Sequence, residues 1–181
     1  MLNTVYQLKR PRQFEAVFKN VELDSRHILV RPTHLSICNA DQRYYQGTRD
    51  KEILKRKLPM ALIHEGIGRV VYDPTGSFEI GDDVIIIPNI PVEKDDIIDE
   101  NYLYSSKFCS SNEDGFLQEL ICTRPDRLLN LPERINPFVA VFTELVSVGY
   151  HATQRFDKIA HSRRNIIGVW GDGNLSFVTT L

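Results

Sequence analysis

The sequence predicts a mainly β domain with a few helices, closed as a barrel or sandwich, followed after about residue 160 by the start of a second unit. Three observations carry that expectation. From Val5 to about Gln118, short runs rich in β-branched and aromatic residues recur between turn signals, the pattern of a β-barrel or sandwich. After Leu131-Pro132 the apolar spacing changes to that of a helix. Further on, a continuous apolar run meets a glycine-rich turn in Asn165-Ile166-Ile167-Gly168-Val169-Trp170-Gly171-Asp172-Gly173-Asn174-Leu175-Ser176.

The elements follow in order. Val21-Glu22-Leu23 and His27 to Pro32 open the strand series, with Pro32 suited to a strand edge or end because it lacks an amide hydrogen. Asp50 to Lys57 is charged and helix-compatible and reads as a solvated surface turn. In Leu62 to Val71, Gly66 and Gly68 let the backbone bend or approach a neighbour, and Val70-Val71-Tyr72 is the strand that follows. It runs into the turn Asp73-Pro74-Thr75-Gly76. Gly81-Asp82-Asp83 introduces the apolar strand Val84 to Pro88, and Phe116 to Cys122 alternates in part. Between them, Pro91 to Asn112 is an excursion from the barrel, acidic at first and polar later, of a length that reads as functional or disordered. Asn136 caps a helix with Pro137 at its first position. Val139, Phe142, Leu145, Val146 and Val148 give it an apolar face, and a second helical piece continues to about Lys158. Asn165 to Trp170 reads as a buried strand, with Trp170 filling core beside the glycine turn.

Composition narrows the class. The chain has 181 residues, 42% hydrophobic and 25% charged, enough for a buried core and for one domain or one domain and the start of another. A net charge of -2 argues against nucleic acid as the main partner. No apolar run reaches the roughly 20 residues of a membrane span. The N-terminus lacks the basic-then-apolar pattern of a signal peptide. Three cysteines make no disulfide framework, which points to a reducing cytoplasm.

Chemistry gathers around Cys38, His64, Glu65 and Glu144. Singly, each has an ordinary structural reading, a buried thiol or a hydrogen-bonded core histidine. Together they offer sulfur, nitrogen and oxygen donors of the kind zinc takes, and a catalytic zinc keeps one position open. Asp41 is placed to accept a hydrogen bond from a metal-bound imidazole. Spacing alone leaves open whether these residues meet. The remaining histidines, His27, His34, His151 and His161, read as surface or packing residues, and Cys109 and Cys122 as chemically idle.

Cys38-x-x-Asp41, His64-Glu65-Gly66-x-Gly68, Gly81-Asp82-x-Val84, Glu144 followed by Ser147-Val148-Gly149-x-His151-Ala152, and Gly171-x-Gly173 resemble, in that order, the zinc-dependent medium-chain alcohol dehydrogenases. The Glu144 stretch is similar to the polyol, sorbitol-type branch. Ile37 to Tyr45, Lys57 to Met60, Pro88-Asn89, Glu93 to Asp96, Glu100 to Leu103 and Trp170 to Leu175 resemble the bacterial ribulose-5-phosphate reductases. The resemblance implies a GroES-like β-barrel catalytic domain over residues 1–160 and, over 161–181, the first strand and turn of a truncated NAD(P)-binding Rossmann domain. It implies NADPH-dependent reduction of D-ribulose 5-phosphate to D-ribitol 5-phosphate, a precursor of CDP-ribitol for teichoic acid or capsule. Cys38, His64 and Glu144 would hold one catalytic zinc ion, with Glu65 an exchanging ligand or just outside. Gly171, Gly173, Asn174 and Leu175 would open the cofactor turn, and Arg43 and Tyr44 would line the substrate pocket. A homo-oligomer for the full-length protein and association with a cytidylyltransferase of the same pathway belong to the same expectation.

The sequence departs from the family pattern at several points. Ala40 stands where other alcohol dehydrogenases carry a proton-relay hydroxyl, and Ile63 replaces the glycine usual before the histidine. The excursion holds Cys109 alone, where relatives carry four close cysteines for a structural zinc, so one metal is expected rather than two. Ser176 replaces the third glycine of the nucleotide turn. The truncation predicts a chain inactive by itself. Two other readings stay open: another polyol dehydrogenase, acting on sorbitol or an unphosphorylated pentitol, and a non-catalytic barrel remnant serving as an interaction module.

Overall fold

A computed structural model describes residues 1–158 and 167–180. Two curled sheets enclose one core. The five-stranded sheet has the order β10-β6-β5-β3-β9, built from β3 (Ile28–Ser36), β5 (Glu65–Tyr72), β6 (Asp83–Ile86), β9 (Ile121–Thr123) and β10 (Leu128–Asn130). The three-stranded sheet has the order β2-β1-β4, from β1 (Leu2–Arg10), β2 (Gln13–Asn20) and β4 (Met60–Ala61). All pairings are antiparallel. Leu8 of β1, Val30 of β3, Val70 of β5, Val84 of β6 and Phe116 meet between the sheets, essentially without solvent exposure. The expected barrel is therefore present.

Strand alternation decides which face each residue serves. On β5, Val70 points into the core, whereas Ile67 packs on the opposite face against Ala140 and Val141. Gly68 lies where β5 passes β3 most closely. A Cβ there would stand 2.3 Å from Val30 Cγ1 and 2.9 Å from the Arg31 carbonyl oxygen, so only glycine fits.

Several expected elements shift. The chain begins with a long hairpin, Leu2 paired to Asn20 through Arg10 paired to Gln13, and Val21 to Leu23 lies in the loop after it. The sequence reading passes over the hairpin although Phe14, Ala16 and Phe18 alternate along β2; the structure leaves β2 almost wholly exposed. Phe116 to Leu120 is a cord between the sheets rather than a strand: the Phe116 amide donates to the Ile63 carbonyl (2.7 Å) and the Tyr6 amide to the Leu117 carbonyl (3.0 Å). Asn39–Gln46 forms a helix, α1, that the sequence reading does not foresee. Asp50 to Lys57 is more than a turn: Asp50 accepts from the amides of Glu52 (2.9 Å) and Ile53 (3.2 Å) and caps α2 (Lys51–Lys57). In the excursion, β7 (Asn89–Ile90) pairs with β8 (Lys107–Phe108) at its base. A 3₁₀ turn at Glu100–Tyr102 is tied back through the bond from Arg127 to Glu100 (2.6 Å).

The helical change after Pro132 is as expected. Asn136 accepts from the Phe138 amide (2.9 Å) and starts α3 (Pro137–Ala140), and α4 (Thr143–Lys158) follows. A last helix, α5 (Asn174–Thr179), lies against α4, with Thr179 Oγ1 3.2 Å from where a Cβ on Gly149 would be. Ile167 to Trp170 corrects the reading: it forms no strand, and Trp170 is fully exposed rather than buried. A strand of this type needs a paired neighbour on each side for its backbone groups, and none stands beside it among the described residues. Asn165, Ile166, His161 and the boundary expected at 160/161 lie outside the described residues.

Candidate metal centre

The site starts from a helix cap. Cys38 is the N-cap of α1 and Asp41 is its third residue, the spacing of a capping box. The Asp41 carboxylate accepts from the Cys38 amide (3.1 Å), which fixes the sulfur at the helix start. His64 and Glu65 arrive where β5 begins. The ligand atoms of Cys38, His64 and Glu65 all lie within 4.8 Å of one another, the spacing of donors around one ion. Local sequence accounts for part of this: consecutive residues entering a strand project to opposite sides, and the bend at Ile63 is needed to turn both donors toward Cys38.

That bend is strained. Ile63 has φ 74°, a left-handed conformation that is an outlier for a β-branched side chain. It is held by the Ile63 amide donating to Asp41 Oδ1 (2.9 Å) and by burial of its side chain. The glycine expected here would adopt the angle freely. This chain keeps the angle and fills the space with isoleucine.

Asp41 does not serve the imidazole. Its partners are the Cys38 amide, the Ile63 amide and the Ser110 hydroxyl (3.0 Å). Two of these bonds set backbone amides and the third holds a hydroxyl, and none goes to the His64 ring. His64 is instead steadied by Phe108, whose ring meets it edge-on at 5.4 Å. Its Nδ1 is buried without a hydrogen-bond partner. Such a bare polar atom costs about 1–3 kcal/mol, and a cation in the cluster supplies the interaction it lacks. Thiolate, imidazole and carboxylate are zinc's usual donors, so the residues fit that metal. Without an ion, burial pushes the Cys38 thiol up to about 12. A divalent cation inverts that balance by favouring the thiolate.

Glu144 opens α4 and stands outside the 4.8 Å group. It is near enough for its charge to interact with His64, Glu65 and Asp41. Burial raises its carboxyl most, Glu65 and Asp41 raise it further, and His64 pulls it down. The structure therefore clusters Glu65 with Cys38 and His64 and leaves Glu144 beside them, whereas the resemblance put Glu144 first. A cleft of about 810 Å³ runs from Glu144 along α4 and the excursion, past Phe108, Lys107 and His151. His151 reaches out of its helix, with Nε2 2.7 Å from the Tyr102 hydroxyl.

The other expected site residues are placed differently. Arg43 is exposed on α1. Tyr44 is buried in the core with the Arg49 guanidinium 4.3 Å above its ring. Gly171, at φ 146°, has Ser176 Oγ 2.3 Å from its absent Cβ, and Gly173 caps α5, which Asn174 and Leu175 begin. Cys109 is core-packed and Cys122 exposed. Sequence reasoning missed Ser110 and Phe108. No motif marks either one, because both act across the fold.

Comparison with known proteins bears on this geometry. The family model for the alcohol dehydrogenase GroES-like domain matches residues 24–133. A ribulose-5-phosphate reductase from Bacillus spizizenii is 56% identical over all 181 residues, which is 53% of that protein. Ribulose-5-phosphate reductase 1 of Staphylococcus aureus is 51% identical over the same residues, again 53% of its length. The crystal structure of S. aureus TarJ in complex with NADPH superimposes with a TM-score of 0.77 at 42% identity, over 99% of this chain and 49% of that one. The chain spans about half the length of the curated relatives it matches. With Cys38, His64 and Glu65 all inside the matched stretch, the chain belongs to the alcohol dehydrogenase GroES-like domain family.

Proposed function

We propose that this chain is the metal-bearing part of a zinc-dependent, NADPH-linked reductase that converts D-ribulose 5-phosphate to D-ribitol 5-phosphate, the precursor of CDP-ribitol for teichoic acid or capsule. The observation that carries the reading is the convergence of Cys38, His64 and Glu65 within 4.8 Å. The identity to ribulose-5-phosphate reductases over the whole chain supports the substrate.

Zinc, when bound, supplies Lewis-acid polarisation of the substrate carbonyl. Cys38, His64 and Glu65 hold it, and Glu144, beside them, is the fourth protein group available. Asp41 keeps the Cys38 backbone and the Ile63 bend in place, so the donors are set before substrate arrives. Ala40 offers no hydroxyl, so the proton that completes the alcohol would come through water, Glu65 or a residue elsewhere. Arg43, exposed on α1, suits a phosphate through its fork of N–H donors, and Tyr44, packed beneath Arg49, fixes the helix that carries it. Gly171, Gly173, Asn174 and Leu175 form the turn that faces the dinucleotide. Residues 161–181 belong to the cofactor domain, and the reaction is proposed for a protein of the length of the relatives, about half of which this chain spans. The protein works in the cytoplasm as a homo-oligomer beside the cytidylyltransferase that consumes its product.

Metal content tests the reading. Plasma mass spectrometry is expected to find about one zinc per wild-type chain and none in Cys38→Ser; a wild type free of zinc after exposure to it overturns the assignment. For a protein of the relatives' length, NADPH oxidation is expected with ribulose 5-phosphate and to be lower with ribulose, which lacks the group that Arg43 would pair with. Equal rates would favour the polyol dehydrogenase reading.

A further inference from the structure

Among the described residues, three other than glycine have positive φ: Arg12 at 65°, Ile63 at 74° and Ser110 at 62°. Arg12 sits in an exposed hairpin turn. The other two are buried, and both bond the same atom. Asp41 Oδ1 accepts from the Ile63 amide at 2.9 Å and from the Ser110 hydroxyl at 3.0 Å. Asp41 Oδ2 accepts from the Cys38 amide. Residues held in the left-handed region persist only where their surroundings over-determine them, and such strain gathers at functional sites.

Ser110 is the one member of this node outside the sequence motifs, 69 positions from Asp41. It lies on the returning limb of the excursion, two residues after Phe108, whose ring lies against His64. That limb therefore touches the metal centre twice, once at the imidazole and once at the carboxylate that sets the Cys38 and Ile63 backbones. The turn itself is secured independently by the Ser110 amide donating to the Glu113 carbonyl (3.0 Å). Removing the hydroxyl thus leaves the turn formed and leaves Asp41, itself 2% exposed, one donor short where solvent does not reach. The carboxylate then rotates toward its remaining donors, and the Cys38 and Ile63 amides move with it.

We propose that Ser110 is a positioning residue for the metal centre, acting through Asp41 to hold Cys38 and His64 at ligating distance. The proposal rests on the zinc reading above. Its test is competitive titration of zinc against a chromophoric chelator for the wild type, Ser110→Ala and Ser110→Gly, with the Co2+ absorption spectrum and the metal-free melting curve of each. Both variants are expected to bind zinc 10- to 100-fold more weakly, the scale of a lost outer-shell partner. Their cobalt bands are expected to shift while the metal-free melting curves stay close to wild type. If the wild type binds zinc and both variants match it within twofold with unchanged cobalt spectra, the proposal is overturned and the zinc reading stands. Weakening in Ser110→Ala but not in Ser110→Gly would locate the effect in the backbone angle rather than the hydroxyl, which also overturns it. Unfolding of both metal-free variants would assign Ser110 to stability alone. A wild type that binds no zinc removes the reading and the proposal together.

Discussion

The barrel and the segment from Phe138 onward bury their apolar residues very differently. In the barrel, Leu8, Val30, Val70 and Phe116 come from distant stretches of chain and exclude solvent almost completely. Beyond it, Phe138, Val139, Tyr150, Trp170 and Phe177 are apolar or aromatic and stand exposed. Hydrophobicity is thus the same signal in both regions, but burial needs a second surface to close against. In the barrel that surface is the opposite sheet. For Ile167 to Trp170, no described element supplies one. Donor placement follows the same division. The Cys38 and Ile63 amides are bonded to Asp41 and the Phe108 ring lies against His64, whereas the Gly171–Gly173 turn leads into a short helix.

Three substitutions probe the contrast. Phe116→Ala removes a side chain 1% exposed at the junction of both sheets and is expected to destabilise the chain by about 3–5 kcal/mol, read from the shift in urea midpoint. A loss below 1 kcal/mol would mean that the two sheets do not share this core.

Asp114 is next. Its carboxylate accepts from the Ala61 amide (2.7 Å) and from Gln7 Nε2 (3.0 Å) and pairs with Lys19, joining β4, β1 and β2. Burial alone would raise its carboxyl, but the bonds from Lys19, Ala61 and Gln7 together hold it below the ordinary value of 3.8. Its contribution is therefore complete above pH 3.8 and is lost as pH falls through the lower folded value. Asp114→Asn is expected to lower stability by about 1 kcal/mol at pH 7, with the gap from wild type closing on acidification below pH 4. A gap that widens there would reverse the sign assigned to this group.

Trp170→Ala closes the series. The side chain is fully exposed, and the expected change is within about 0.5 kcal/mol, measured on the same urea curves. A cost of several kcal/mol would place Trp170 in a packed core and restore the strand expected there.

Much of the fold was legible in the sequence because its signals are local. Turn residues marked the ends of β5 and β6. Asn136-Pro137 marked the start of α3, as the bond from the Phe138 amide bears out. The first hairpin was not read although Phe14, Ala16 and Phe18 alternate in β2, and the structure leaves that alternating set exposed rather than in the core. The donor types at Cys38, His64 and Glu65 could be read as zinc chemistry from the residues themselves, whereas the helix cap formed by Cys38 and Asp41 emerged only in the structure.

What the sequence determined by itself was this inventory: which residues bear donors, which form strands, and which family pattern they follow. Tertiary structure alone decided that Asp41 bonds Ile63 and Ser110 rather than the imidazole, that Ile63 takes a left-handed angle, that Phe108 covers His64, and that Trp170 lies open to solvent. The physical reason is range. Strand alternation and helix caps act over a few residues and leave a mark in composition and spacing. A hydroxyl meeting a carboxylate across 69 positions, or a tryptophan left open to solvent, depends on where the rest of the chain has been folded.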